Sequence, residues 1–273
     1  MDDHKIKLQA KACIAAFQFL TRLPIPVSVP FEKPILTRSV IYFPLTGAFI
    51  GLVVGLLAWL LSFILPPWPS AVIVLAIWTA LSGGLHLDGW MDTADGVLSH
   101  RTRERMLEIM KDSRVGAMGV LAAVLLLLLK ASLLTELIAG ESHGKVLSLV
   151  SIFVISASWS RAWMAIAIAG WSPARENEGV GSLFNGVKRK WTVLSVSLAA
   201  IISYTTLIIN DINYINSLLI VIAAGLVTII CGYFLASWLN KKLGGLTGDT
   251  YGAMNEAVEL AILLGAVVWF YTT

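Results

Sequence analysis

Long apolar runs separated by short polar segments dominate the chain. A helix that crosses a bilayer needs about 20 largely apolar residues. Seven runs reach or approach that length, at 40–65, 70–86, 115–138, 147–170, 192–210, 215–238 and 256–272. The second is short and ends directly against a polar stretch, and the last is short too. The pattern predicts an all-α fold, a polytopic membrane helix bundle of about seven transmembrane helices. It forms one domain over 1–273, since no soluble domain, internal repeat or low-complexity segment interrupts it. Ahead of the first run, Ile6, Ala10, Cys13, Phe17 and Leu20 recur at helical spacing, with Lys7 and Lys11 on other faces. That predicts a short N-terminal amphipathic helix lying on the bilayer surface and stopping at Pro24 and Pro26. The first run carries Gly47, Gly51 and Gly55, a small-residue stripe that lets another helix approach closely.

Charge supports the span count independently. The region to residue 39 holds Lys5, Lys7, Lys11, Arg22, Lys33 and Arg38, whereas the next loop, PPWPS, holds none. Segment 87–114 holds Arg101, Arg103, Arg105, Lys111 and Arg114, and the following loop holds only Lys145. Segment 171–191 holds Arg175, Lys188, Arg189 and Lys190, NDINYIN holds none, and 239–255 holds Lys241 and Lys242. Alternate segments therefore carry 17 of the 20 basic residues. Cytoplasmic loops are the Lys/Arg-rich ones, so the expected topology is N-in, C-out with seven spans.

Composition agrees. Hydrophobic residues make up 57% of the chain and charged residues 14%, against about 25% charged in a soluble domain. Cys13 and Cys231 are far apart, without metal spacing, and read as packing residues. No cleavage site follows the N-terminal apolar stretch, so a removed signal peptide is not expected.

The chemistry concentrates in two polar clusters. In GGLHLDGWMDTADG, Asp88, Asp92 and Asp95 stand at i, i+4 and i+7, on one helical face. Three like charges there repel unless a cation neutralises them, and hard oxygen ligands without cysteine point to Mg²⁺ or a similar ion. Gly84, Gly89 and Gly96 leave room for a substrate against the backbone. His86 is open between a general base, a phosphate contact and a structural hydrogen-bonder. The second cluster, GGLTGDTYGAMNE, places Asp249 and Glu256 seven apart, with Gly248 and Asn255 alongside and Glu259 three residues beyond. Two acidic helix ends on one side can converge on one or two metal ions.

Basic groups complete the pattern. Lys111 and Arg114 sit at the mouth of a span and suit a phosphate held between metal and cations. Arg161 lies inside a span, where a charge marks a site by default. Arg101, Arg103 and Arg105 read as topology-setting charges. Lys130 and Glu136 are expected toward the outer end of the third span, where snorkelling or mutual pairing suffices. Together these groups suggest transfer of a phosphate or diphosphate-linked group at the membrane surface.

GGLHLDGWMDTADG, KDSRVGAMG and GLTGDTYGAMNE, with FQFLTRLPIP and YFPLTGAFIG near the start, resemble the cobalamin synthase family, adenosylcobinamide-GDP ribazoletransferase. The resemblance covers most of the chain and shows no departure at the acidic positions. It implies attack by the ribose hydroxyl of α-ribazole (or its 5′-phosphate) on the cobinamide-side phosphate of adenosylcobinamide-GDP. GMP leaves, Mg²⁺ is the cofactor, and the product is adenosylcobalamin (5′-phosphate). On that footing Asp88, Asp92 and Asp95 hold Mg²⁺, and Lys111, Arg114 and Arg161 neutralise phosphate oxygens. Asp249 or Glu256 completes a second metal site or takes the proton, and His86, Gly84, Gly89, Gly96, Gly248 and Asn255 complete the site.

The expected partners are the two small-molecule substrates, the lipid bilayer and other late cobalamin-assembly enzymes, with self-association left open and no nucleic acid. The expected location is a prokaryotic cytoplasmic membrane, with the site facing the cytoplasm. Two alternatives stand beside this reading. A CDP-alcohol phosphotransferase uses similar acidic helix ends, but its Asp-Gly-x-x-Ala-Arg signature is absent, since Asp88-Gly89 is followed by Trp90-Met91-Asp92-Thr93. A cation-coupled transporter would place acids near the midplane within a repeated architecture, and no repeat is visible.

Overall fold

The computed structural model describes residues 2–141, 149–175 and 180–272; Lys145 lies outside them. Among the described residues the chain forms eleven α-helices and no strand. These are α1 (Asp2–Leu20), α2 (Lys33–Ser39), α3 (Phe43–Ser62), α4 (Pro67–Ser82), α5 (Leu85–Val97), α6 (Arg103–Ile109), α7 (Ala117–Glu141), α8 (Leu149–Gly170), α9 (Arg189–Ile209), α10 (Tyr214–Leu243) and α11 (Gly248–Thr272).

Six helical stretches are long and apolar enough to cross a membrane: 33–62, 117–140, 149–170, 189–209, 214–243 and 248–272. A seventh forms if α4 and α5 count as one broken span, bent by 89°. Inside a bilayer every backbone group must pair within its own segment, which is why the apolar runs are all helical. Large apolar side chains such as Leu56, Leu125, Ile201, Ile230 and Phe234 stay exposed around the outside, as a lipid-facing surface requires.

The bundle is organised on α8, whose length is almost wholly buried. The glycine stripe of α3 packs against it, and Gly55 alone would bring a Cβ to 2.8 Å from the Val150 Cα. Gly47 and Gly51 are closed by the backbone at Ala157 and Phe153. The N-terminal helix α1 forms, and it turns Ala12, Ala15, Ala16 and Leu20 inward while Ile6 and Ala10 stay exposed.

The four basic segments meet at one end of the bundle. The Arg22 backbone N–H donates to the Leu81 carbonyl at 2.8 Å, Arg103 Nε to the Leu243 carbonyl at 2.6 Å, and Arg175 to the Leu107 carbonyl at 2.5 Å.

Two boundaries shift from the sequence expectation. The last span begins at Gly248, not 256, so Asn255, Glu256 and Glu259 lie well inside a helix. Helix α7 runs from Ala117 to Glu141, which puts Lys130 near its middle instead of toward an end.

Candidate active site

Consecutive glycines in the left-handed region, Gly83 (φ 66°) and Gly84 (φ 71°), end α4 and turn the chain into α5. Only glycine adopts that conformation twice running without strain. The turn lays α5 across the start of α11. A Cβ on Gly89 would lie 2.6 Å from the Asp249 carbonyl oxygen, and one on Gly252 would lie 3.2 Å from the His86 Cα. The room expected at Gly89 is therefore filled by α11, and that at Gly96 by Met106 of α6 and by Met110 just after it. Gly84 alone of the three has open space, with no atom within 4 Å of such a Cβ.

The crossing brings Asp88 and Asp92 of α5 toward Asp249 of α11. By itself α5 is too short to span a bilayer, and its acidic stretch is read as lying outside the membrane-spanning segments. Burial, then the charges of Asp88, Asp249 and Asp95, push the Asp92 carboxyl up to about 7, opposed by Arg175. Asp95 has a different task. Its two carboxylate oxygens accept the backbone N–H groups of Gly116 and Gly119, each at 2.7 Å. They satisfy otherwise orphaned donors at the start of α7 and favour its positive end. Any side chain on Gly116 or Gly119 would strike the Asp95 carboxylate, which is why the KDSRVGAMG stretch carries them.

Arg175 enters from the segment after α8. Ser172 and Ala174 exchange backbone hydrogen bonds with Leu246, at 3.0 and 2.8 Å, around a parallel bridge between Pro173 and Leu246. Gly245 permits this approach, because a Cβ there would collide with Ala174. Thr247 and Thr250 then cap each other reciprocally at the start of α11, and Thr247 donates to Asp249 at 3.3 Å. The bridge thus holds a guanidinium against the acidic helix ends. In sequence Arg175 read only as one of the topology charges, and nothing in its spacing marked it as a site residue.

Asp88, Asp249, Arg175 and His86 line one cavity of about 110 Å³, with Phe19, Phe184 and Tyr251 forming part of its apolar wall. Gly89, Gly248 and Gly252 also border it, and Asn255, Glu256, Lys111, Arg114 and Arg161 do not. Arg114 lies at the surface and is engaged by Asp112 at 2.6 Å, whose carboxyl it holds down at about 2 through hydrogen bonds.

A second polar cluster lies deeper, at the middles of three spans. Lys130 Nζ donates to Glu256 and Glu259, each at 2.6 Å, and lies 4.9 Å from the centre of the Trp78 ring. Glu259 also accepts from the Arg161 guanidinium, from Ser160 and from Asn255. Arg161 is fully enclosed and reaches His86 instead of a phosphate. These placements correct the expectation for Lys130 and bear on those for Glu256 and Arg161. Lys130 does not snorkel or pair with Glu136, which accepts from the Tyr271 hydroxyl at 2.6 Å. Glu256 is tied to Lys130, and Arg161 does not border the cavity. Opposite charges in the middle of a bundle have to find each other because neither can be left bare there.

The donor chemistry at the cavity fits a hard divalent ion. Among the described residues no three acidic, His or Cys side chains are grouped closely enough to cage one. Mg²⁺ is characteristically held by one or two carboxylates together with substrate phosphates; Asp88 borders the cavity, while Asp92, one turn along α5, is not part of its lining.

The Cobalamin-5-phosphate synthase family profile matches residues 12–267. The chain belongs to this family. Its curated relatives include proteins named adenosylcobinamide-GDP ribazoletransferase from Brevibacillus brevis, Roseiflexus sp. and Klebsiella pneumoniae. The first is 38% identical, with 93% of this chain and 96% of the relative aligned. The second is 36% identical over 91% and 86%, and the third 36% over 93% and 98%. No solved structure matches. The chain is a transferase of cobalamin biosynthesis built as a transmembrane helix bundle.

Proposed function

We propose that the chain joins adenosylcobinamide-GDP to α-ribazole or its 5′-phosphate, releasing GMP, at the cytoplasmic face of a prokaryotic membrane. The observation that carries this reading is the cavity where Asp88 and Asp249 face Arg175 across the α5–α11 crossing. The relatives' printed name supplies the substrates.

Asp88 and Asp92 hold Mg²⁺, which when bound neutralises charge on the diphosphate. Arg175 binds the non-bridging oxygens from the opposite wall, where its planar fork suits two phosphate oxygens at once. The α-ribazole hydroxyl oxygen forms the new bond to the cobinamide-side phosphorus as the bond from that phosphorus to the GMP oxygen breaks. With Glu256 bound to Lys130, the hydroxyl proton passes to Asp249. Asp95 keeps α7 docked against α5 and so fixes the face that carries the other two carboxylates. The cytoplasmic orientation rests on the positive-inside distribution.

The test is product formation by purified chain in lipid nanodiscs, supplied with both substrates and either Mg²⁺ or chelator. Mg²⁺-dependent release of GMP with a cobamide product, lost in folded Asp92→Asn, is the expected result. Full activity of Asp92→Asn would move the metal elsewhere. Absence of product under every metal condition would return CDP-alcohol transfer to the front.

A further inference from the structure

His86 is buried to 1% exposure at the start of α5, yet it borders the cavity. Its Nδ1 faces two donors, the Asn255 amide nitrogen at 3.0 Å and the Arg161 guanidinium at 3.4 Å. The Asn255 amide cannot be turned over to offer its oxygen, because the same nitrogen also donates to the Glu259 carboxylate at 3.2 Å. An oxygen in that place would face a carboxylate. Arg161 has no acceptor to offer at all. Nδ1 is therefore an acceptor, and in a neutral imidazole the single proton then sits on Nε2. Nε2 is enclosed and has no protein partner among the described residues. A buried N–H without a partner is costly and rare.

We propose that His86 is a fixed hydrogen-bond donor, presenting Nε2–H to a phosphate oxygen of the substrate in the cavity. Asn255, Arg161 and Glu259 act as positioning residues that hold the proton on that nitrogen. This rests on the phosphoryl-transfer reading of the cavity and deepens it. It removes His86 from the candidates for general base, since a nitrogen already carrying its proton cannot take the one released by the attacking hydroxyl. It also gives the deep ionic cluster a task. Lys130 anchors Glu259, Glu259 orients Asn255 and Arg161, and these two set the imidazole. A donor placed in advance where negative charge develops needs no reorganisation during the reaction.

The experiment uses the full chain in nanodiscs labelled with ¹⁵N-histidine, with His86→Gln assigning the His86 signals among the four histidines. The expected wild-type spectrum shows a protonated, pyrrole-type Nε2 and an unprotonated, pyridine-type Nδ1. Asn255→Asp places an acceptor opposite Nδ1 and is expected to interchange the two signals, an effect that loss of packing alone would not produce. In turnover, His86→Ala is expected to lower kcat about 100-fold. The His86→Gln variant, whose amide keeps an N–H, is expected to stay within about 10-fold of wild type.

A wild-type spectrum with the proton on Nδ1, or a fully active His86→Ala, would overturn the proposal and leave the reaction untouched. No cobamide product from the wild-type chain would overturn the reading of the reaction, and the substrate contact with it. The spectrum needs no substrate, so the two failures are distinguishable.

Discussion

Replacing Gly89 with alanine adds one methyl group where α5 crosses α11. That Cβ would sit 2.6 Å from the Asp249 carbonyl oxygen and 3.1 Å from its Cα, where ordinary contact begins at 3.4 Å. Both obstructing atoms are backbone, so no rotamer relieves the contact and the helices have to separate by about 0.8 Å, the difference between 3.4 and 2.6 Å. Asp249 moves away from Asp88 and Asp92 by a similar amount. A misplacement of about 1 Å costs on the order of 100-fold in rate, and forcing a methyl into a packed interface costs about 1–3 kcal/mol. The assay is kcat and KM for cobamide formation in nanodiscs, alongside thermal unfolding. Gly89→Ala is expected to lower kcat by tens-fold to about 100-fold, with KM little changed and a lower unfolding temperature. Gly265→Ala is the control. It lies in α11, the helix that Gly89 packs against, with nothing within 4 Å of an added Cβ, so activity should hold and stability rise slightly. A Gly89→Ala chain with wild-type stability and kcat but a raised KM would refute the helix-separation argument and place substrate against α5 at that point.

Three further outcomes follow from the charges. Lys130→Met leaves Glu256 without its cation beside a Glu259 still held by Arg161 and is expected to destabilise the chain by about 3–5 kcal/mol; unfolding curves that show part of this recovered in Lys130→Met with Glu256→Gln would support the pairing, and a single variant whose curve matches wild type would contradict it. Arg175→Ala is expected to lower kcat about 100-fold or more with the fold kept by the Pro173–Leu246 bridge, checked by turnover and circular dichroism. The Asp92 carboxyl, raised from 3.8 to about 7, favours the protonated folded state, so without metal its contribution to stability is present below pH 4 and lost as pH rises through 7. Mg²⁺ competes with that proton, so its stabilising effect in thermal unfolding should be larger at pH 8 than at pH 6, and Asp92→Asn should remove the difference.

The sequence by itself determined what depends on neighbours along the chain. Apolar runs of helical length, the alternation of basic loops and the glycine stripe at 47, 51 and 55 all express short-range rules, so the bundle and its close helix contact were legible. Asp88 and Asp92 could be placed on one face because i and i+4 always share one. Tertiary structure decided which groups meet. Lys130 finds its partners 126 and 129 residues away; the sequence signal was that it and Glu259 both fall inside apolar runs, where opposite charges have to pair. Asp95 shares the spacing of its neighbours, yet is drawn off to cap α7 because Gly116 and Gly119 present unpaired N–H groups to it. Arg175 reaches the cavity only because Leu246 bridges to Pro173. Spacing along a helix fixes which face a side chain occupies, but its partner across the bundle is set by how that face packs.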